Sequence, residues 1–291
     1  MSSKIHLIIF TVLLSSFLLF EKKNTFAHEC ISFSQVKKIY DGFPSKPIKV
    51  IDSSISLESA YCVQEKLNYL INRKYNDKIG YKVGFTGKAL QTRFKIDSPA
   101  VGTLYEHMFI EDNVYIKHEF AYKPMIEPDL MVVVKSKNIM NATTNLEIIK
   151  ELKSIHPFIE VSSFRFENED QVNGNMLIAA NMLATKMVMG EGIAVQPTKD
   201  FLAKISKIKT VFSDDKNNII QEAPASNLMK NPINVVKWLI KDLKKKGISL
   251  KKGDRISLGS VGKLFKLKKN TSYKYVLKGF ENDLSLGLKI N

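Results

Sequence analysis

Cysteine and tryptophan are scarce in this chain, which has two cysteines and one tryptophan in 291 residues. Two cysteines allow at most one disulfide, between Cys30 and Cys62, and two unpaired thiols are the alternative. Internal repeats, low-complexity segments and nucleic-acid-binding motifs are absent from the sequence, so we expect neither a repeat array nor a nucleic-acid partner. The charged fraction of 25% and the hydrophobic fraction of 44% exclude a disordered chain and predict a substantial core.

Long apolar runs are absent apart from Leu7–Phe20, which follows the basic residue Lys4. This run is too short for a membrane-spanning helix, which needs about 20 residues. Thr25 and Ala27 place small residues at the −3 and −1 positions of a signal-peptide cleavage site. We therefore predict a signal peptide over residues 1–27, cleaved after Ala27, and a secreted or periplasmic protein. An uncleaved anchor or a buried helix is the alternative.

Acidic residues are outnumbered, because 44 lysines and arginines stand against 29 aspartates and glutamates, a formal net charge of +15. The basic residues are scattered, which is typical of a solvated surface. Attraction of anions, such as small carboxylates or an anionic envelope surface, is the alternative.

Helical periodicity precedes a β-rich region. The helical segments are 29–40, 56–74, 145–155 and 231–246. The β-rich segments are 80–86, 102–104, 114–117, 130–134 and 158–161, with a hairpin over 205–212 and 218–221. The apolar segment 176–187 fits either a buried helix or a tight bend into a strand. The sequence thus predicts an α+β fold, with an N-terminal helical cap over residues 28–77 and a β-rich catalytic-type domain over residues 78–291.

Two acids, Glu127 and Asp129, precede the apolar run Leu130–Val134. In an extended strand, side chains two residues apart point to the same face. Neighbouring carboxylates repel one another and are costly to bury, so a chain that keeps such a pair is expected to supply a cation. A hard divalent metal is the simplest candidate.

Three further features accompany this pair. Glu160 is a lone acid in the apolar segment Phe158–Val161, where it needs a partner. Lys82 lies in a glycine-flanked strand, Gly80–Thr86. The segment Gly253–Ser260 predicts a turn and a strand that ends in a Gly-Ser corner.

In this order and spacing, the segments resemble the fumarylacetoacetate hydrolase superfamily, specifically its 2-keto-4-pentenoate hydratase/4-oxalocrotonate decarboxylase branch. The resemblance covers roughly residues 56–290. Its motifs are Gly80–Thr86, Val101–Leu104, Glu127–Asp129, Glu160, Asn231-Pro232, Val236–Leu239 and Gly253-Asp254. The resemblance implies a mixed β-roll of the fumarylacetoacetate hydrolase type around a deep pocket.

By this resemblance, Glu127, Asp129 and Glu160 are metal ligands, and an all-carboxylate set suits Mg²⁺ or Mn²⁺ rather than zinc. In this family the metal holds the carboxylate and oxo oxygens of a 2-oxo acid and stabilises the negative charge that develops during reaction. Lys82 matches the active-site lysine, which orients the substrate or shuttles a proton, and a nearby metal is expected to lower its pKa. The implied protein is a metal-dependent hydratase-type lyase acting on a 2-hydroxy-dienoate or 2-oxo acid, and a homo-oligomer is compatible with it.

Each of these residues has a structural alternative. Glu127 and Asp129 fit solvated acids at a junction of loop and strand. Glu160 fits a buried salt-bridge partner of a lysine. Lys82 fits an exposed edge-strand residue that discourages aggregation.

The chain departs from the branch pattern at three positions, where Ala100 replaces an acid, Leu183 a serine and Leu258 a threonine. These changes remove polar groups from the expected substrate pocket, which predicts either a more apolar substrate or an impaired hydration step. A decarboxylase or acylpyruvate hydrolase on the same scaffold, and a non-catalytic secreted protein that binds a 2-oxo acid, are therefore alternatives to the hydratase.

Overall fold

A computed structural model describes residues 30–291, so the predicted signal peptide lies outside the described residues. The helices are α1 Phe33–Asp41, α2 Leu57–Tyr75, α3 Lys88–Arg93, α4 Asn145–Lys150, α5 Gly174–Ala179, α6 Lys199–Lys207 and α7 Pro232–Lys245. The strands are β1 Lys78–Gly84, β2 Ala100–Tyr105, β3 Phe109–Ile110, β4 Tyr115–Ile116, β5 Pro124–Val134, β6 Leu152–Ser163, β7 Lys186–Met189, β8 Ile193–Ala194, β9 Lys209–Asp214, β10 Ile219–Pro224, β11 Arg255–Ser260, β12 Phe265–Lys266, β13 Thr271–Lys278 and β14 Leu284–Ile290. Across residues 30–291, no helix has the length and apolar character needed to cross a membrane.

Two sheets form the β-rich part of the molecule, and the predicted α+β class with a mixed sheet is confirmed. The larger sheet has the order β2-β1-β11-β5-β6-β7-β3, with β12 paired to β5 and β8 to β6. The smaller sheet has the order β10-β9-β13-β14-β4. The larger sheet mixes parallel pairs, such as β1 with β11, and antiparallel pairs, such as β5 with β6. Its centre therefore brings together strands from distant parts of the sequence.

Two apolar cores hold this architecture together. The first combines buried residues of both sheets with helices α4, α6 and α7. The second joins α1, α2 and α5 to buried side chains of β2 and to Met131 and Phe158 on the central strands. The N-terminal helices thus pack on the same strands that carry the acidic residues, and the domain boundary near residue 77 stays a prediction.

Helix ends follow local sequence chemistry. Ser32 and Thr144 each begin a helix with a capping box, completed by Gln35 and Glu147, which satisfies exposed backbone N–H groups. Asn231 caps α7 ahead of Pro232, the first helical residue, where proline is favoured. The predicted bounds of α1, α2 and α7 therefore agree with the structure to within a few residues.

Two predicted elements differ from the structure in type over part of their length. The segment 145–155 was expected to be one helix, but α4 ends at Lys150 and Leu152 begins β6. The expected hairpin strand over 205–212 starts at Lys209, because residues 205–207 complete α6. In the segment 176–187, the bend is confirmed, since α5 ends at Ala179 and β7 begins at Lys186.

The structure joins Cys30 and Cys62 in a disulfide, with Cα atoms 6.0 Å apart. Cys62 lies in α2, and Cys30 precedes α1. The bond therefore fixes the start of the described chain to the second helix, and it selects the paired alternative over two free thiols.

Candidate active site

Lys82 lies on a central strand and is 5% exposed. Its strand, β1, pairs with β2 on one side and with β11 on the other. A Cβ atom on Gly80 would stand 1.9 Å from the carbonyl oxygen of Arg255 on β11, so the close pairing requires glycine. The edge-strand alternative for Lys82 is therefore wrong.

The Lys82 ammonium has two acceptors. Its Nζ donates to Oε1 of Glu160 in a buried ion pair and to the carbonyl oxygen of Met182 at 2.9 Å. Met182 lies in the bend between α5 and β7, where Asn181, Met182 and Leu183 all have positive φ angles of 52°, 52° and 59°. This left-handed segment turns a backbone carbonyl toward the lysine, and the salt-bridge alternative for Glu160 is confirmed.

The three acids lie on two adjacent strands. Glu127 on β5 stands directly opposite Glu160 on β6 in the antiparallel register. Asp129 follows two residues later in the same continuous strand, so it points to the same face as Glu127. Asp129 and Glu160 are completely buried and Glu127 is partly buried. The structure thus brings all four predicted residues into one cluster, and solvated acids are excluded for Asp129.

Hydroxyl and amide groups partner the acids. Ser257 Oγ donates to Oδ2 of Asp129, and the backbone N–H of Leu130 donates to Oδ1. The Ser260 hydroxyl lies close enough to Glu127 to lower the pKa of its carboxyl group. Glu160 Oε2 is buried and has no hydrogen-bond partner among the described residues.

The cluster shifts the protonation of its members. Burial and the nearby charge of Glu160 raise the pKa of Glu127 to about 7. Burial also raises the pKa of Asp129 well above its usual range, against the hydrogen bond from Ser257. Burial alone lowers the pKa of Lys82, but the charges of Glu160, Glu127 and Asp129 outweigh it, so the pKa is raised. The cause is that the cluster places three carboxylates around one ammonium. The predicted lowering refers to a lysine beside a bound metal and stays a prediction.

These residues fit a hard divalent cation in donor type. Three carboxylates supply only oxygen donors, which Mg²⁺ and Mn²⁺ prefer. The buried Oε2 of Glu160 lacks a hydrogen bond, and such an atom is costly unless it gains a partner. Within residues 30–291, no three His, Cys, Asp or Glu side chains are arranged as a finished metal site, and Lys82 and Ser257 are hydrogen-bonded to two of the three acids. The assignment of the three acids as metal ligands stays a prediction.

A cavity of about 70 Å³ adjoins Lys82 and Glu127. Its polar lining also includes Ser162 and Ser260, and the rest is mainly apolar. The apolar lining residues include Phe85, Leu90, Phe94, Leu177, Met182, Leu183 and Leu264. Leu183, one of the departures from the branch pattern, therefore does line the cavity. Ala100 is completely buried on β2 opposite Gly84.

Sequence reasoning missed three serines of this site: Ser162, Ser257 and Ser260. Ser162 lies two residues after Glu160 on β6, so strand alternation places both on one face. Ser257 and Ser260 lie on β11, inside the Gly253–Ser260 motif, but serine is too common for its role to be read from the motif alone. Gly259 between them has φ +91°, and a Cβ there would stand 2.6 Å from the carbonyl oxygen of Val83. The Gly-Ser corner is thus a backbone requirement that aims Ser260 at Glu127.

Comparison with characterised proteins supports the predicted resemblance. No family model matches the chain. It is 22% identical over 242 residues to 2-keto-4-pentenoate hydratase 2 of Dechloromonas aromatica, which covers 83% of this chain and 90% of the relative. It is 26% identical over 212 residues to 2-oxo-hept-4-ene-1,7-dioate hydratase of Escherichia coli. That alignment covers 71% of this chain and 77% of the hydratase.

A solved structure shares the fold across almost the whole described chain. It is 4-oxalocrotonate decarboxylase from Pseudomonas putida G7, complexed with magnesium and adipate, with a TM-score of 0.77 and 17% identity. The match covers 89% of this chain and 97% of the decarboxylase. The sequence relatives and the shared fold confirm the resemblance drawn from the motifs, which is a resemblance to the 2-keto-4-pentenoate hydratase/4-oxalocrotonate decarboxylase branch of the fumarylacetoacetate hydrolase superfamily.

Proposed function

We propose that this protein is a divalent-metal-dependent lyase that adds water to a 2-hydroxy-dienoate to give a 4-hydroxy-2-oxo acid. The observation that carries the proposal is the buried Lys82–Glu160 ion pair, which lies beside Glu127 at the edge of a cavity. Relatives named as hydratases support an enzyme of this family. The specific reaction is our inference.

The charge balance of the cluster supports a bound cation. Glu127, Asp129 and Glu160 surround one ammonium, so the fully ionised cluster carries excess negative charge in a buried place. Such charge is costly to bury unless a cation compensates it. Mg²⁺ or Mn²⁺ held by these three residues would supply positive charge to a 2-oxo acid and to the negative charge that develops on it.

Lys82 is placed to hold and move a proton. An ammonium has three N–H donors, and the contacts with Glu160 and Met182 use two of them. One donor therefore remains for a substrate or a water molecule. The Glu160 carboxylate accepts from the same nitrogen and keeps it oriented, so the ammonium is a positioned proton donor.

The cavity wall bears on the choice of substrate. Glu127, Ser162 and Ser260 are polar groups that can orient a water molecule, whereas Leu177 and Leu183 present hydrocarbon. At about 70 Å³, the space is far below the roughly 300 Å³ of ordinary ligand pockets. These features favour a short substrate with an apolar tail.

Three other functions would use the same residues. A decarboxylase or an acylpyruvate hydrolase would place a 2-oxo acid at the same cluster. A non-catalytic secreted protein that binds a 2-oxo acid is favoured by the small cavity and by the leucine at position 183.

Turnover of a dienoate separates these functions. We expect the purified protein with Mg²⁺ or Mn²⁺ to remove the ultraviolet absorbance of 2-hydroxypenta-2,4-dienoate and to form the 4-hydroxy-2-oxo acid, identified by mass spectrometry. Glu127→Gln and Lys82→Met should each lower turnover by at least about 100-fold, the scale of a lost acid–base group. Glu119→Gln is the matched control, because Glu119 is exposed and paired with Lys269 at the surface.

The product decides among the alternatives. Release of carbon dioxide from an oxalocrotonate would assign the protein as a decarboxylase. Release of pyruvate from an acylpyruvate would assign it as an acylpyruvate hydrolase. Binding of pyruvate without turnover of any of these substrates would select the non-catalytic protein.

We also propose that the protein is exported and acts outside the cytosol. The support is the predicted signal peptide over residues 1–27 and the Cys30–Cys62 disulfide, since disulfides persist mainly in oxidising compartments. We expect the mature protein isolated from its producing cells to begin at His28, as measured by intact mass and N-terminal sequencing. An intact Met1 N-terminus in the cytosolic fraction would refute export.

A further inference from the structure

A second cavity, of about 440 Å³, lies between the N-terminal helices and the bend after α5. Its apolar surface includes Leu67 and Ile71 of α2 together with Met108. Arg165, just beyond the end of β6, lines the same cavity. The volume lies within the range of ordinary small-molecule sites, about 300 to 1,000 Å³.

This cavity is separate from the one beside Lys82. Ser162 and Phe164 line the Lys82 cavity, whereas Ser163 and Arg165 line the second one. The alternation is that of an extended chain, whose successive side chains point to opposite faces. Leu183 contributes to both walls. A ligand in the second cavity would therefore not occupy the proposed active site.

Arg165 is a buried cation without an acidic partner. It is 4% exposed, and within residues 30–291 no carboxylate lies within 4.0 Å of its guanidinium. Its Nε donates to the carbonyl oxygen of Lys46 at 2.7 Å, and its Nη2 to that of Ile39 at 2.8 Å. A guanidinium has five N–H donors, so donors remain, and in the described part of the chain Nη1 has no acceptor. A buried charge of this kind is costly unless an anion compensates it.

The other charges on the wall have the same sign for the most part. Lys74 and Lys186 also line the cavity. The acid on the wall, Asp41, is bound by Lys37 at 2.6 Å. Burial lowers the pKa of Arg165 to about 10, which still leaves the guanidinium charged at neutral pH. The cavity thus combines an apolar floor with uncompensated positive charge.

We propose that this second cavity binds a small organic anion with an apolar body and one carboxylate, and that the carboxylate pairs with Arg165. The hydrocarbon of the ligand would lie against Leu67, Ile71 and Met108. Arginine matches a carboxylate with two parallel N–H donors, which fixes the ligand's orientation as well as its affinity.

Phenylacetate and phenylacetamide form a matched pair of probes, because they share a shape and differ in charge. Isothermal titration calorimetry with the purified protein should show phenylacetate binding at least tenfold more tightly than the amide, the scale of a charge-assisted hydrogen bond. Inorganic phosphate, an anion without an apolar body, should bind more weakly than phenylacetate. Equal affinity for acid and amide, or no phenylacetate binding at millimolar concentration, would overturn the proposal.

Two variants locate the site. Arg165→Met should weaken phenylacetate binding at least tenfold, and Arg165→Lys should recover part of the loss. Because Arg165 also holds two backbone carbonyls, Ile71→Phe provides a second test that narrows the cavity at its apolar wall and leaves the arginine in place. It should weaken phenylacetate binding while the circular dichroism spectrum stays unchanged.

The active-site variant Glu127→Gln supplies the remaining control. Phenylacetate affinity should be unchanged in it, because Glu127 faces the other cavity. Loss of binding in Glu127→Gln, together with full binding in Ile71→Phe, would place the probe in the active site and refute a second site.

Discussion

Replacing Lys82 with methionine should lower the free energy of unfolding by about 3 to 5 kcal/mol, the cost of breaking a buried ion pair from one side. Methionine is close to lysine in length but carries no charge. Glu160, which is completely buried, would lose its cation. The carboxylate would then either stay charged without a partner or take up a proton. Urea denaturation in the presence of EDTA measures this loss without a contribution from bound metal.

The double variant Lys82→Met/Glu160→Gln separates the pair from its individual members. Removing both charges should recover most of the stability, since replacing a whole buried pair is often close to neutral. Turnover should be lost in the single variant and in the double variant, so the second substitution would restore stability without restoring activity. Lys78→Met is the matched control on the same strand, because Lys78 is exposed and forms no salt bridge within the described residues. A Lys82→Met protein as stable as this control would show that the pair is not buried as described.

The long central strands were only partly predictable. The sequence predicted that the strand carrying the apolar run would begin at Leu130, but this strand, β5, begins at Pro124. Proline and charged residues disfavour strands in isolation, and here pairing with β6 over eleven positions decides the outcome. In the same way, Ile148, Leu152 and Ile155 fit a helical period. Leu152 and Ile155 instead pair with Val134 and Val132 on β5, contacts that a local pattern does not contain.

The candidate site shows a similar division. Side chains with distinctive chemistry, such as Lys82 and Glu160, stand out because a charge in an apolar strand needs an explanation. The carbonyl oxygen of Met182 carries no such signal, although it accepts from Lys82. Its position depends on three consecutive left-handed residues, and non-glycine residues rarely adopt that conformation. The burial of Arg165 could not be predicted from the sequence either, because it depends on packing of α1 and α2 against the sheet.

Glu127→Gln should abolish the stabilisation of the protein by a divalent metal. In wild-type protein, Mg²⁺ or Mn²⁺ at about 100 times its dissociation constant should raise the free energy of unfolding by about 2.7 kcal/mol. The glutamine retains the size of the side chain but removes one of three carboxylates, so little metal-dependent stabilisation should remain. Without metal, the order of stability of the wild-type protein and the variant should reverse. The variant should be the more stable protein, because Glu127 stands directly opposite Glu160 and their charges repel.

Melting temperatures of both proteins, measured with EDTA and with each metal, test whether wild type is the more stable protein with metal and Glu127→Gln the more stable protein without it. Glu119→Gln should retain the wild-type response to metal, since Glu119 is exposed and is paired with Lys269 rather than with a member of the cluster. A Glu127→Gln protein that is still stabilised by metal would remove Glu127 from the ligand set. If neither metal raised the melting temperature of the wild-type protein, Lys82 would be the cation that the three acids require. The reversal of order between EDTA and metal therefore distinguishes a metal centre from a buried ionic cluster, because a purely structural cluster has no reason to stabilise one protein in EDTA and the other in Mg²⁺.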